Sequence, residues 1–297
     1  FEIGYSPEKI NDFSDAAVNA GYNINFLEKT GLTIVKEEKQ IDRFRSRIIF
    51  PIKSMSGRVL GFGGRILDNS KKNIAKYINS PESIIYQKSK VLYGIFEGKQ
   101  SIVKNDNCFL VEGYTDVIKM HQSGINNVVS SSGTALTENQ IRLIRRLTKN
   151  ITVLFDGDAA GSRATLRGID LILAQDMNVQ ICNLPNGEDP DSFVSEKKLE
   201  DIQDFFNSNS KDFIVYKASL LLNDSENDPV KKASVIRDIV ESISYVSDFI
   251  KRELYIKECS KIMNISEQVI YSTLAQISKQ SLRNISKKKP VFNEPIS

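Results

Sequence analysis

The chain has 297 residues, 40% of them apolar and 26% charged, with 40 Lys and Arg against 37 Asp and Glu for a formal net charge of +3. That length and balance are ordinary for a folded protein and leave room for two or three domains around a sizeable core. No run of eighteen uncharged apolar residues occurs, the best candidate FIVYKASLLL at 213–222 being short and carrying Lys217, so no membrane-spanning segment is expected.

The sequence opens at Phe1 without a basic, apolar, small-residue leader, which reads as a fragment of a longer protein rather than a secreted precursor. Cys108, Cys182 and Cys259 are scattered, odd in number and never in a C-x-x-C pair. This fits a reducing cytosol, offers no zinc site, and makes them small core residues. His121 is the single histidine. It falls near a helix end, where a surface histidine meets the last carbonyls, and any triad or His-rich metal centre would need it.

Charge is unevenly spread: residues 36–104 carry fifteen Lys and Arg against six Asp and Glu, a local +9, whereas 105–203 carry nine against fourteen, a local −5. A polyanion-facing part beside a cation-binding part is one reading, and two ordinary solvated surfaces the other. In chain order, RIIFPI (47–52) and GRVLGFGGRIL (57–67) predict two strands joined by a turn around Ser56-Gly57. Gly61, Gly63 and Gly64 permit a close backbone approach or mark a bulge, and without a following GK[ST] they are a weak phosphate-loop signal.

Between 107 and 194 strand-like runs alternate with helical patterns: CFLVE (108–112), NNVVS (126–130), ITVLF (151–155) and VQICN (179–183), the first three each leading into a helix. Thr137 with Gln140 forms a capping-box pattern, and Leu143, Ile144 and Leu147 a buried stripe after it. Such βαβ alternation implies a mainly parallel sheet with right-handed crossovers. Residues 205–280 read as helical, Asp228-Pro229 supplying an N-cap and first-turn proline and Val235, Ile236, Ile239, Val240 and Ile243 one apolar face. The ending KKKPVFNEPIS is polar and expected to fray.

In parallel sheets the loops at the carboxyl ends of the strands build the site. Glu112, Asp116, Asp156, Asp158, Asp189 and Asp191 all follow strand ends, so they should open onto one edge. Two carboxylates about 4 Å apart repel by roughly 4 kcal/mol at an effective dielectric near 20. A shared proton or a divalent cation offsets that, and six acids converging without His or Cys favour Mg²⁺ or Mn²⁺ beside phosphoryl or nucleotidyl transfer. For the element FDGD itself three readings stay open: a turn with solvated acids, a haloacid-dehalogenase-like phosphatase with Asp156 as nucleophile, and a metal site shared with Glu112. The second sits poorly with Ala159-Ala160 and with two preceding βα units.

VEGYTDVI (111–118), SSGTALT (131–137) and FDGDAAG (155–161) resemble a Toprim domain, the metal-binding α/β module of bacterial primases, topoisomerases and some nucleases. Adding RFRSRIIFPI (43–52), GRVLGFGGR (57–65), KYINSPES (76–83), YQKSKVLYG (86–94) and LPNGEDPDSF (184–193), the chain from Phe1 to about residue 280 resembles the catalytic RNA-polymerase core of a bacterial DnaG-type primase. The resemblance implies an α/β fold in three parts with a tail: a basic mixed α/β subdomain over 1–103, a Toprim domain over 104–204, a helical subdomain over 205–282 and a flexible tail over 283–297.

It further implies short RNA primers made on single-stranded DNA from ribonucleoside triphosphates, in the bacterial cytoplasm at the replisome and nucleoid, by a monomeric core with Mg²⁺ or Mn²⁺. Glu112, Asp156 and Asp158 would be catalytic, with Glu112 as candidate general base or acid. Glu112, Asp156, Asp158, Asp189 and Asp191 would hold or orient the cations and Asp116 support them. Arg43, Arg45, Arg65, Lys76 and Lys88 would meet template and nucleotide phosphates, with the GFGGR glycines letting backbone approach nucleic acid. Phe44, Phe62 and Tyr77 are base-stacking candidates or core. A zinc-binding amino-terminal domain and a carboxyl-terminal domain contacting the replicative helicase are expected outside this chain. Ser132 stands where the family commonly has an apolar residue, an expected effect on packing more than chemistry. A nuclease or topoisomerase built on the same acidic module, and a non-enzymatic DNA-binding scaffold, are the competing activities.

Overall fold

A computed structural model describes residues 1–37, 39–67, 74–133, 135–156, 163–185, 187–222 and 228–287, with side chains for all of these except 163–165, 220–222 and 281–287. Asp158, the glycines and alanines of its loop, and residues 288–297 lie outside the described residues. The chain divides into two compact units, one formed by 1–160 with 182–209 and the other by 161–181 with 210–297.

The first unit begins with β1 (Gly4–Ser6), α1 (Asp12–Asn19), α2 (Ile24–Lys29) and the hairpin β2 (Thr33–Lys36) and β3 (Lys39–Asp42). Asp42 ties the hairpin to α1: its carboxylate accepts the N–H groups of Phe13 (2.7 Å) and Ser14 (3.0 Å), first-turn donors that a helix cannot satisfy itself. Next come β4 (Arg47–Lys53), β5 (Val59–Ile66) and β6 (Tyr77–Asn79), an antiparallel sheet of order β1-β4-β5-β6. The predicted turn is present, with Gly57 N donating to Ser54 O at a φ of 87°. Pro51 is tolerated inside β4 because β1 pairs only with Arg47–Ile49, so no ladder hydrogen bond is needed from its nitrogen on that side.

Helix α3 (Ile95–Asn105) then leads into β7 (Cys108–Val111), α4 (Tyr114–Gln122), β8 (Val128–Ser130), α5 (Glu138–Arg145) and β9 (Asn150–Phe155). Strand β7 lies between β8 and β9, pairing in parallel with β8 (Leu110 opposite Val129) and with β9 (Leu110 opposite Val153). The parallel βαβ reading is therefore correct, each strand lying within two residues of its expected bounds. The buried stripe of α5 is Ile141 and Ile144; Leu143 and Leu147 are only partly buried, one position off the expected face. After α6 (Arg163–Ala174) and β10 (Asn178–Asn183), Leu184 N donates to Phe155 O (3.1 Å), which brings the following loop and α7 (Pro190–Ser195) to the end of β9. Helix α8 (Leu199–Asn209) closes the unit. One apolar cluster, including Phe50, Ile52, Tyr86, Tyr93, Val111, Tyr114, Leu154 and Phe193, joins the four-stranded antiparallel sheet to the parallel strands.

In the second unit, β11 (Lys211–Asp212) pairs antiparallel with β10, interrupting the stretch expected to be wholly helical, and Asp212 Oδ1 then accepts Ile214 N (3.0 Å). Helices α9 (Phe213–Leu222), α10 (Pro229–Ser244), α11 (Phe249–Met263) and α12 (Glu267–Lys287) follow. Asp228 caps α10 as expected, accepting Val230 N at 2.9 Å, and Val235, Ile239, Val240 and Ile243 are its buried face. Lys217, which broke the apolar run in the sequence, is buried: Nζ pairs with Asp170 Oδ1 at 2.8 Å and also donates to Ser242. No helix among the described residues is long and apolar enough to cross a membrane.

The glycines of β5 make room for aromatic rings. A Cβ on Gly63 would lie 2.5 Å from Tyr114 Cζ, and one on Gly61 or Gly64 would meet Tyr86 or Phe44 at 2.7 and 2.6 Å. Tyr114 is itself stacked on Phe50, with centroids 5.0 Å apart and planes within 9°, so it has no room to retreat. Gly63→Ala is expected to cost about 1 to 3 kcal/mol in urea unfolding; an unchanged midpoint would show that the ring accommodates the methyl group.

Candidate active site

The cleft forms at the carboxyl ends of β7 and β9. Strand β7 ends at Val111, so Glu112 is the first residue past the sheet and is exposed, while Gly113 leads straight into α4. Asp116, in the first turn of α4, reaches back so that Oδ2 accepts Gly113 N (2.8 Å). Asp156 follows β9 directly. Asp189 caps α7, its Oδ1 accepting Ser192 N (2.8 Å), Pro190 sits at the first helical position and Asp191 at the second. Part of what made LPNGEDPDSF distinctive is thus helix initiation. Two helix N-termini, whose partial positive charge favours carboxylates, consequently begin at this rim.

An open cleft of about 420 Å³ is lined by Glu112, Asp116, Asp156, Asp189 and Asp191 together with Arg65, Lys76, Tyr77, Tyr114 and Ser132. Five of the six expected acids therefore converge, and two of the five expected cations face them. Lys88 stands beside the cleft, with Nζ 3.5 Å from the Gly133 carbonyl on its wall. Arg43 and Arg45 lie on the β3–β4 turn and do not line it. A smaller apolar cavity of about 90 Å³, between Phe13, Leu32, Phe44, Ile49 and Phe62, contains Asp42 as its one charged lining residue, and that carboxylate is engaged by α1.

Burial is the main force on Asp116, which is 8% exposed. It pushes the carboxyl up to about 6, with the negative charges of Asp189, Asp156 and Asp191 adding and the Gly113 N–H opposing. Like-charge repulsion thus adds to a shift that burial dominates. Among the described residues no three acidic, His or Cys side chains come close enough together to close around one ion. The donors are nonetheless all hard carboxylate oxygens, which suits a cation that takes few protein oxygens and fills its shell with water and phosphate.

Three residues were not singled out from the sequence. Arg47 is buried and donates to the carbonyls of Ala75 (2.8 Å), Lys76 (3.1 Å) and Gly64 (3.3 Å), fixing the segment that carries Lys76. Asn79 and Tyr114 meet at 2.6 Å. The nearest sequence signal was Gly63, whose missing side chain admits the Tyr114 ring. Of the stacking candidates, Phe44 is core at 5% exposure, whereas Tyr77 is exposed on the cleft wall with the Arg65 guanidinium 5.6 Å from its ring centre. His121 is half-buried rather than superficial: its ring meets Phe1 edge-on at 4.9 Å, and burial lowers its pKa.

This is the architecture of a Toprim-like α/β module joined to a basic antiparallel sheet. Models described as the DNA primase catalytic core N-terminal domain, as Toprim-like, and as the DnaB-helicase binding domain of primase match residues 1–99, 109–194 and 227–268. DNA primase of Clostridium acetobutylicum is 38% identical over 97% of this chain and 47% of its own length, and that of Staphylococcus aureus 36% over 90% and 44%. The chain thus spans about half the length of these relatives. A DNA primase domain from Pseudomonas aeruginosa superposes with a TM-score of 0.80 at 30% identity, covering 93% of this chain and 87% of that one. The E. coli primase catalytic core gives 0.77 at 31%, covering 89% and 85%. The chain belongs to the bacterial DnaG-type DNA primase family, within which it corresponds to the catalytic core. A family match described by helicase binding falls inside the chain, over α10, α11 and the start of α12, where the sequence reading had placed that contact in a domain beyond it. The Toprim and primase matches suggest divalent-metal use.

Because the folded chain holds the Asp116 proton more tightly than the unfolded chain does, this carboxyl favours folding below about pH 4, and that contribution disappears as pH rises through about 6. In chelator, Asp116→Asn, which keeps an acceptor for Gly113 N–H, should therefore raise the thermal midpoint at pH 7.5 and leave it unchanged at pH 4. A lower midpoint at pH 7.5 contradicts the assignment.

Proposed function

We propose that this chain is the polymerising core of a primase, joining ribonucleotides into short RNA primers on single-stranded DNA during bacterial replication. The observation that carries this reading is the single cleft in which five carboxylates face Arg65 and Lys76 in a chain of the primase family. A related catalytic domain, 30% identical with a TM-score of 0.78, has been solved bound to single-stranded DNA, which supports the same class of template here.

Glu112, Asp156 and Asp158 would hold Mg²⁺ or Mn²⁺, with Asp189 and Asp191 holding or orienting the ions and Asp116 supporting them through α4. A cation bound there would neutralise charge growing on the phosphate and lower the cost of ionising the attacking 3′-hydroxyl. Arg65, Lys76 and Lys88 bind the triphosphate, pyrophosphate leaves toward them, and Glu112 accepts the hydroxyl proton. Arg43 and Arg45 serve the template backbone from the turn before β4. The helicase contact is assigned to 227–268, zinc belongs to a different domain, and the setting is the bacterial cytoplasm at the replisome.

With labelled ribonucleotides, single-stranded DNA and Mg²⁺, Asp156→Ala or Glu112→Ala should cut incorporation at least about a hundredfold with the fold intact. Lys76→Ala should raise KM for the nucleotide. If about six phosphates are neutralised, log affinity for single-stranded DNA should fall against log salt with a slope near −4. Shortened DNA in place of elongated RNA would identify a nuclease, and binding without incorporation a scaffold.

A further inference from the structure

Tyr114 occupies the seam between the antiparallel sheet and the acidic module of the first unit. Its ring is held on three sides: stacked on Phe50 at 5.0 Å, edge-on to Tyr93 at 4.8 Å, and closed in by the bare backbone of Gly63. Packing alone would be served equally by phenylalanine. The hydroxyl, however, is aimed: Oη lies 2.6 Å from the Asn79 amide. Ser132 lines the cleft at a φ of 55°, a left-handed conformation unusual for a residue with a Cβ, and its Oγ is 3.0 Å from Ser130 Oγ. Tyr114 and Asn79 thus begin a polar chain at the cleft wall.

The orientation of the Asn79 amide decides what that chain does. With its nitrogen donating to Ile78 O (3.2 Å) and Tyr114 Oη (2.6 Å), its oxygen accepts from Lys88 Nζ at 3.1 Å. The opposite orientation lets the oxygen accept from the Tyr114 hydroxyl and the nitrogen reach Ser132 O at a long 3.4 Å, but it sets the oxygen against the Ile78 carbonyl and the nitrogen against the Lys88 ammonium. Lys88 is otherwise carried on a short turn whose carbonyl is gripped by Gln140 Nε2 at 3.3 Å, so its backbone is placed by α5 while its ammonium is placed by Asn79.

We propose that Tyr114 is a positioning residue: its hydroxyl fixes the Asn79 amide, and Asn79 in turn holds the Lys88 ammonium at the mouth of the acidic cleft, toward the phosphates of an incoming nucleoside triphosphate. The ligand class rests on the polymerase reading above; the hydrogen-bonded chain does not. An ammonium carries three donors, so one given to Asn79 and one directed toward Gly133 O leave a third for a phosphate oxygen.

Tyr114→Phe keeps the ring and removes only the hydroxyl, and two readouts test it. Losing one hydrogen bond of ordinary strength should raise KM for the ribonucleotide about fivefold with kcat nearly unchanged. Independently of catalysis, the freed Lys88 amine should be acylated by an N-hydroxysuccinimide ester faster than in the parent, measured by mass spectrometry against exposed Lys104. Asn79→Ala should reproduce both effects, and the double substitution should be no worse than Asn79→Ala alone. If Tyr114→Phe does not fold, Asn79→Ala carries the same two readouts. An unchanged Lys88 acylation rate, or effects that multiply in the double variant, overturns the chain of positioning. Raised acylation with an unchanged KM overturns its aim at the nucleotide. A parent that incorporates no ribonucleotide defeats the polymerase reading, and the acylation arm still decides the role of Tyr114.

Discussion

Negative charge gathered at one rim of a sheet is the condition around which the first unit is organised. A parallel sheet sends every strand end to the same edge, and acids placed just after those ends must share it. The structure answers their repulsion in part by itself. Helices α4 and α7 begin at the rim, Asp116 and Asp189 each spend one oxygen on backbone N–H groups, and Arg65 and Lys76 face across the cleft. Asp116 holds its proton well above the ordinary carboxyl range, chiefly because it is buried, with the charges of Asp189, Asp156 and Asp191 adding to the effect. A cation with a water shell is the agent chemically suited to cancel what these contacts leave.

The cations reach the cleft because two sheets of different type share a core. Phe50 from β4, Tyr93 before α3 and Tyr114 from α4 form one aromatic contact in the first unit, and the glycines of β5 let rings press on the antiparallel strands. The capping box of α5 adds a second tie. Thr137 Oγ1 donates to Ser89 O and Gln140 Nε2 to Lys88 O and Val91 O, so one motif both starts a helix and anchors the turn bearing Lys88. Arg47, buried against the carbonyls beside Lys76, does the same for the second basic segment.

Much of this was legible in the chain because it is local. Alternating apolar runs fix the strands of the parallel sheet, Thr137-x-x-Gln140 and Asp228-Pro229 fix helix starts, and strand ends fix where Glu112 and Asp156 emerge. What could not be read is pairing through space between segments tens of residues apart. Asn79 meets Tyr114 across 35 positions, and Gly63 meets the same ring from 51 away; neither partner advertises the other. The rings that these glycines adjoin therefore could not be named from GFGG itself. The short strand Lys211–Asp212 was invisible for the same reason, since its order comes from β10 and not from its own composition. Arg43 and Arg45 stand apart from the cleft, so local positive charge located a basic region without resolving which of its members face the acids.

The central claim, that this rim is a cation site serving a nucleotide, is tested most directly by anomalous diffraction at the manganese edge from crystals soaked with Mn²⁺ and a ribonucleoside triphosphate. The account predicts anomalous peaks within coordination distance of Glu112, Asp156 and the Asp189–Asp191 segment, with triphosphate density toward Arg65, Lys76 and Lys88. A fully ordered cleft without anomalous signal, or manganese bound only elsewhere on the molecule, would contradict it.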